Sequence, residues 1–396
     1  MSGGGRSSLA LVAFLSVLML HMAAGIYGAG GKRPVPPAAR PWPPAPHAVV
    51  VSPQKLDECR RGRGAAECYT SIGKALAEAG RLVPKVKHRF VLLIKTGEYR
   101  EQVNITRRNV VLLGEGRGNT IITGNLSNLT GTGMMYMTAT VNALADGFLA
   151  QNLTIRNEAG PRGKQAVALR SNSNRTVVFG CSIEGYEDTL YAENGAQVYL
   201  DTDIYGTVDF VFGNARAVFQ RCRIRVREPL PGKHNVISAQ GCNNKTYEDS
   251  GFVFHRCIVE ADPNPSPDPA GGGGAPHPQN LTGVETYLGR PHRNFSHVVF
   301  MQSELGAVVH ADGWVPWDKN HGIKETTESV KYLEFNNTGP GADTARRVNW
   351  TGVQVIHDAA QVAKYCIDSF IGGKEWIPEQ IPYDHEVPGG VVGVGV

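Results

Sequence analysis

The run IYGTVDFVFG (residues 204–213) sets one carboxylate, Asp209, inside an apolar, β-branched and aromatic stretch closed by glycine. Burying an ionised carboxylate costs several kcal/mol unless it is paired. Asp209 therefore needs a cation, a set of donors, or a chemical task. Four other segments supply reactive or positioning groups: GEYRE (97–101), QAVAL (165–169), GYEDTLY (185–191) and LGRPH (288–292). Carboxylates brought close together push one pKa up and keep the partner ionised, which separates acid from base. Asp188 and Asp209 are candidates for such a pair. Arg290 is the cation that would hold Asp209, through a two-pronged guanidinium contact. Gln165 offers amide N–H donors without charge, suited to a developing oxyanion. Together these groups suit ester hydrolysis through a carboxylate nucleophile.

The elements that must position them are short strands. From about residue 88 the pattern recurs as an apolar triplet, a few mixed residues and an aliphatic position: FLAQNLTI (148–155), VVFGCSI (177–183), VYLDTDI (198–204), VFQRCRI (218–224), VFHRCIV (253–259) and VVFMQSEL (298–305). The closing positions Ile155, Ile183, Ile204, Ile224, Val259 and Leu305 fall 28, 21, 20, 35 and 46 residues apart. Spacings near 20 predict the coils of a parallel β-solenoid, with loops inserted where the interval is longer. A β-sandwich would also use short strands, but Asn-Gly and Asp-Gly hairpin signals are few. In a solenoid, positions 165, 188 and 209 fall on successive coils at similar phase, about 4.8 Å apart per coil. One helix is expected near residues 68–79, capping the N-terminal end, and a short one near 359–364.

Composition limits the remaining classes. The chain has 396 residues, 41% of them hydrophobic, enough for a large core. Its net charge of +4 is mild, and no basic run carries interleaved aromatics, so nucleic acid is not expected as a partner. Residues 1–25 read as a secretory signal peptide: Arg6, an apolar run at 9–20 too short to span a membrane, then Ala23, Ala24 and Gly25. Residues 26–47 read as a proline-rich linker, 48–385 as the catalytic domain and 386–396 as a Gly/Val-rich tail. The Pro/Gly stretch 261–278 reads as a surface loop in the longest interval. Ten N-x-Ser/Thr sequons, among them Asn104, Asn152 and Asn336, agree with a secreted glycoprotein. Seven cysteines in that compartment imply at least some pairing, with one left over, and Cys181 is the candidate for the free thiol because Thr202 takes its place in the next repeat. No C-x-x-C spacing supports a metal site.

The blocks GEYRE, QAVAL, GYEDTLY, IYGTVDFVFG and LGRPH, in this order and flanked by NEAGP (157–161) and FIGGKEW (370–376), resemble the signature of the plant pectinesterases, or pectin methylesterases. The resemblance implies a right-handed parallel β-helix that removes methyl esters from homogalacturonan, giving methanol and pectate without metal or organic cofactor. It further implies a monomer in the plant cell wall, with a proteinaceous pectinesterase inhibitor as a candidate partner. By motif, Asp209 resembles the nucleophile, Asp188 the general acid and base, Gln165 an oxyanion donor, and Arg290 the arginine that binds substrate and aspartate. Thr132 falls near a substrate-contacting threonine, and Phe212 near an apolar wall for the methyl group. Cys222 and Cys257 resemble a pair that the family bridges. The chain resembles the short form, without an inhibitor-like pro-region.

Two positions depart from the family pattern. Glu187 stands where the family has glutamine (QDTLY), and an ionised glutamate can accept a hydrogen bond but not donate one. A protonated Glu187, its pKa raised by burial and by Asp188, would restore a donor and favour acidic pH. His292 stands where LGRPW has tryptophan and offers a sugar a smaller face. The competing expectation is a weakened or inactive pectin-binding homologue, its oxyanion site disabled by Glu187. A polygalacturonase or a calcium-dependent pectate lyase is a third, weaker reading, because no acidic calcium loop repeats here.

Overall fold

The computed structural model describes residues 46–62, 66–130, 133–242, 250–264, 279–317 and 323–387. Residues 1–45, 265–278 and 388–396, which hold the leader, most of the linker, the Pro/Gly loop and most of the tail, lie outside the described residues. So does Thr132.

β-Branched and aromatic triplets form the strands, and every strand pair within the three sheets is parallel, in sheets of twelve, eight and seven strands. The repeat that closes on an aliphatic residue is the register of the eight-stranded sheet. Ile155 pairs Ile183, Ile183 pairs Ile204, Ile204 pairs Ile224, Ile224 pairs Val259, and Val259 pairs Leu305. The irregular spacings in sequence thus become single steps of one coil in space, and the molecule is a right-handed parallel β-helix.

The mixed residues between triplet and aliphatic position turn each coil from the twelve-stranded to the eight-stranded sheet. Asn152, Asp201, Arg221, Arg256, Gln302 and Asn336 all take positive φ, between 47° and 55°, and Gly180 does so in the VVFGCSI coil. A single left-handed residue bends the chain sharply, and its N–H stays in the ladder: Asp201 donates to Gln220 O (3.1 Å) and Arg221 to His255 O (3.0 Å). Inward side chains stack along the axis, with Tyr199, Phe219, Phe254 and Phe300 lying ring on ring at 4.7, 4.7 and 4.4 Å between centroids.

The expected N-terminal helix is shorter than the 68–79 window. It runs Ile72–Ala77, with Ala79–Leu82 after it, and buries Ile72, Ala75 and Ala79 against the first coils. Its start explains GEYRE: Glu101 accepts from the N–H groups of Ile72 (2.9 Å) and Gly73 (3.0 Å) and from Ser71 Oγ (2.7 Å). That carboxylate caps a helix and takes no part in chemistry. The second expected helix is Ala359–Val362.

The cysteines require a correction. Cys222 and Cys257 sit on adjacent coils but are not bridged: both are free, buried thiols, donating to the Tyr199 and Phe219 carbonyls at 3.3 Å each. Burial and the neighbouring thiol push Cys222 well above the ordinary thiol range. Among the described residues the disulfide is Cys59–Cys68, beside the first strands. Cys181 is a free thiol, but so are Cys222, Cys242, Cys257 and Cys366, so five thiols rather than the single one expected stay unpaired.

Candidate active site

Asp188 and Asp209 lie at the entrance to the seven-stranded sheet. Leu190 pairs Val211, and each aspartate stands two residues before its member of that pair, so the two carboxylates share one phase on successive coils. Both take left-handed backbone, φ 62° and 51°. This conformation is uncommon outside glycine, and it clusters at working sites where the surrounding ladder over-determines it. Here the ladder is intact: Asp188 N donates to Val208 O (3.1 Å) and Leu190 N to Phe210 O (2.9 Å).

Arg290 leaves the strand Thr286–Gly289 two coils further on and grips Asp209 with both prongs, Nε to Oδ1 at 2.7 Å and Nη2 to Oδ2 at 2.5 Å. The pair is largely shielded, with 16% and 8% of the side chains exposed. A two-pronged contact fixes the plane of the carboxylate as well as its charge. Trp317 lies over the guanidinium at 4.2 Å and covers its open face.

Asp188 is buried and has no such cation. Burial, then the negative charges of Asp209 and Glu187, push its carboxyl well above the usual range, against a smaller opposing pull from Arg290. One aspartate is thus oriented as a carboxylate by arginine, and its neighbour is disposed to hold a proton. That is the separation acid–base chemistry needs.

Gln165 departs from the expected phase. Leu169 pairs Leu190, so the residue in register with Asp188 is Val167, and Gln165 lies two positions earlier. It still reaches the site, but its amide is engaged: Nε2 donates to Glu187 Oε1 at 2.6 Å, while Oε1 accepts from Asn128 Nδ2 at 3.1 Å. The Glu187 carboxyl is raised, as expected, first by burial and then by the charge of Asp209 rather than that of Asp188. His292 is exposed, and its ring meets Trp317 at 4.6 Å between centroids.

Phe212 is buried and stacks on Tyr191 at 4.4 Å and 9°, the in-register partner one coil earlier. With Ala139, Val167 and Ala239 it forms a small apolar cluster, against which Met135, Tyr191 and Trp317 pack. This cluster is a wall beside the carboxylates. Met135, Tyr191 and Trp317 were missed from sequence. The signal for Trp317 was the run GWVPW (313–317), an aromatic after proline just downstream of LGRPH.

The fold is shared with known proteins. Residues 62–374 match the family model described as Pectinesterase. A probable pectinesterase/pectinesterase inhibitor of Arabidopsis thaliana is 43% identical over 295 residues, covering 74% of this chain and 54% of that protein. Pectinesterase 2 of Citrus sinensis is 38% identical over 308 residues, covering 78% and 56%. The chain therefore spans about half the length of the curated relatives it matches. Among solved structures, a pectin methylesterase from carrot superposes with a TM-score of 0.73 at 33% identity, over 87% of this chain and 98% of that one. One from Aspergillus niger gives 0.66 at 27%, over 86% and 99%. With the matched family model covering well over half of its residues, this chain belongs to the pectinesterase family.

Proposed function

We propose that the protein is a carboxylic-ester hydrolase that removes methyl esters from homogalacturonan. The observation that carries this reading is the Arg290 fork on Asp209 beside a buried Asp188 whose pKa is raised. An Asp209 oxygen attacks the ester carbonyl carbon and forms a tetrahedral intermediate. Its collapse expels the methoxy oxygen, which takes the Asp188 proton and leaves as methanol. Asp188, now a carboxylate, takes a proton from water, and the water oxygen attacks the acyl–Asp209 carbonyl. Collapse breaks the acyl–Asp209 bond and frees the Asp209 carboxylate, and the galacturonic acid released gives its own proton to solvent, while Asp188 keeps the proton it took from water. Phe212 and its cluster form an apolar floor for the methyl group.

A second reading has its own support: Gln165 gives one of its two amide N–H donors to Glu187, which leaves it one at most for a reacting carbonyl. On that reading the protein binds methylated pectin and turns it over slowly or not at all. Methanol release by the purified protein separates the two. Turnover that falls at least about 10³-fold in Asp209→Ala, with polymer length unchanged, supports the esterase. No methanol above the Asp209→Ala level supports the binding protein. The leader-like N-terminus and the sequons support secretion to the plant cell wall as a glycoprotein. Methyl-esterified homogalacturonan is the proposed polymer partner, a proteinaceous pectinesterase inhibitor a further one, and a monomer the proposed state.

A further inference from the structure

The run GNLSNLTG (124–131) carries two sequons three residues apart, at Asn125 and Asn128, and the second of them reaches the carboxylate site. Asn128 opens a single 3-10 turn, Asn128–Thr130, that is tied down on both sides. Thr130 Oγ1 accepts from Ser127 N and donates to Ser127 O, both at 2.8 Å. The buried amide of Asn157, in the NEAGP block, donates to Leu126 O at 2.9 Å and to Val167 O at 3.0 Å. One side chain thus joins the approach to this turn to the QAVAL segment.

From that fixed turn Asn128 contacts Gln165 twice. Its backbone N donates to Gln165 O at 2.9 Å, and its Nδ2 donates to Gln165 Oε1 at 3.1 Å. The first bond sets where Gln165 stands, and the second settles which way round its amide lies. An amide has its acceptor at one end and both donors at the other. With Oε1 turned to Asn128, Nε2 is the end that meets Glu187 Oε1, at 2.6 Å.

Resting on the proposed function, we infer that Asn128 is a positioning residue: by holding the Gln165 carbonyl, it keeps the amide's N–H groups turned toward Glu187 and the catalytic carboxylates. The consequence falls on the proton of Glu187. An ionised Glu187 accepts from Nε2 whether or not Asn128 is present. A protonated Glu187 has a hydrogen to donate, and Gln165 can offer its oxygen only by turning over and giving up the Asn128 bond. Asn128 therefore confines the protonated form of Glu187 to lower pH. Burial and the charge of Asp209 push Glu187 the other way, Lys233 and Arg290 act with Asn128, and Asp188 is the adjoining carboxyl in the chain.

The test is a titration without substrate, so that it stands apart from turnover. The Glu187 carboxyl is followed by ¹³C NMR in the parent protein, Asn128→Ala and Asn128→Asp, its signal being the one missing from Glu187→Gln. All are made in a host that does not N-glycosylate, because both substitutions at Asn128 also remove a sequon. Asn128→Ala should carry the midpoint up by about half to one pH unit, the worth of one hydrogen bond. Asn128→Asp keeps the size of the side chain but can only accept, so it turns the amide round and should move the midpoint at least as far. That rise should persist in about 1 M salt, where the Debye length is about 3 Å and an exposed charge is screened. An unmoved midpoint in Asn128→Ala, or a rise in Asn128→Asp that salt abolishes, would overturn the inference. Methanol assays on the parent protein judge the proposed function separately.

Discussion

Two adjacent carboxyls, Glu187 and Asp188, are both shifted upward, yet they call for opposite experiments. For Asp188 the consequence is stability. A carboxyl whose folded pKa lies above its unfolded value, near 3.9, contributes fully below about pH 4 and loses that contribution as pH rises through the folded pKa. Asp188→Asn, which never ionises, should therefore raise the melting temperature at neutral pH by a few °C while abolishing turnover, and the gain should close near pH 4. A gain that persists undiminished at pH 4 would mean that charge is not its source. For Glu187 the consequence is rate. Above its raised pKa the side chain can only accept, and it holds the Gln165 amide. Below that pKa it carries a proton and can donate. Glu187→Gln should increase kcat on methylated pectin at neutral and alkaline pH by up to about 10²-fold, and change it little at acidic pH. Paired pH–rate profiles check this, and a ratio flat across pH removes Glu187 from the reaction. At this scale the sequence was most legible where a charge is out of place. Asp209 in an apolar run is visible without coordinates. Trp317 over Arg290, and the capture of Gln165 by Glu187, are contacts between neighbouring coils that lie more than twenty residues apart in sequence, so no local pattern pairs them.

At the scale of elements, the repeat was readable because one register position per coil must be aliphatic, and the pairing from Ile155 to Leu305 follows it throughout. The phase of Gln165 was not readable, since a 23-residue interval in sequence conceals a coil step of 21 set by Leu169 and Leu190. The corner that presents Asp209 depends on the absence of a side chain. At Gly206 a methyl group would fall 2.1 Å from Phe210 Cβ and 2.8 Å from the Tyr186 carbonyl oxygen, against the turns that carry both aspartates. Gly206→Ala should cost about 1–3 kcal/mol by overpacking. Because the turns must move, kcat should fall by more than KM changes. Chemical denaturation and steady-state kinetics on one preparation test both parts, and full activity in a destabilised protein would place the strain elsewhere.

At the scale of the whole molecule, each coil touches only its neighbours, so the site is only as rigid as the stack beneath it. Phe254 lies mid-stack between Phe219 and Phe300, and the strand that leads to Arg290 belongs to the same coil and continues it. Two effects hold Phe254 there, and two substitutions divide them. Phe254→Ala removes ring volume and leaves a cavity, at an expected cost of about 3–5 kcal/mol. Phe254→Leu keeps most of the volume but forfeits two ring-on-ring contacts, each worth about 0.5–1.5 kcal/mol beyond area. The leucine variant should therefore fall between parent and alanine in denaturant midpoint. Both should lose the site before the bulk of the β signal, because loosening begins in the coil that Arg290 follows. A leucine variant as stable as the parent would mean that the aromatic ladder adds nothing beyond burial, and coincident loss of site and strands would mean that the coils unfold as one unit.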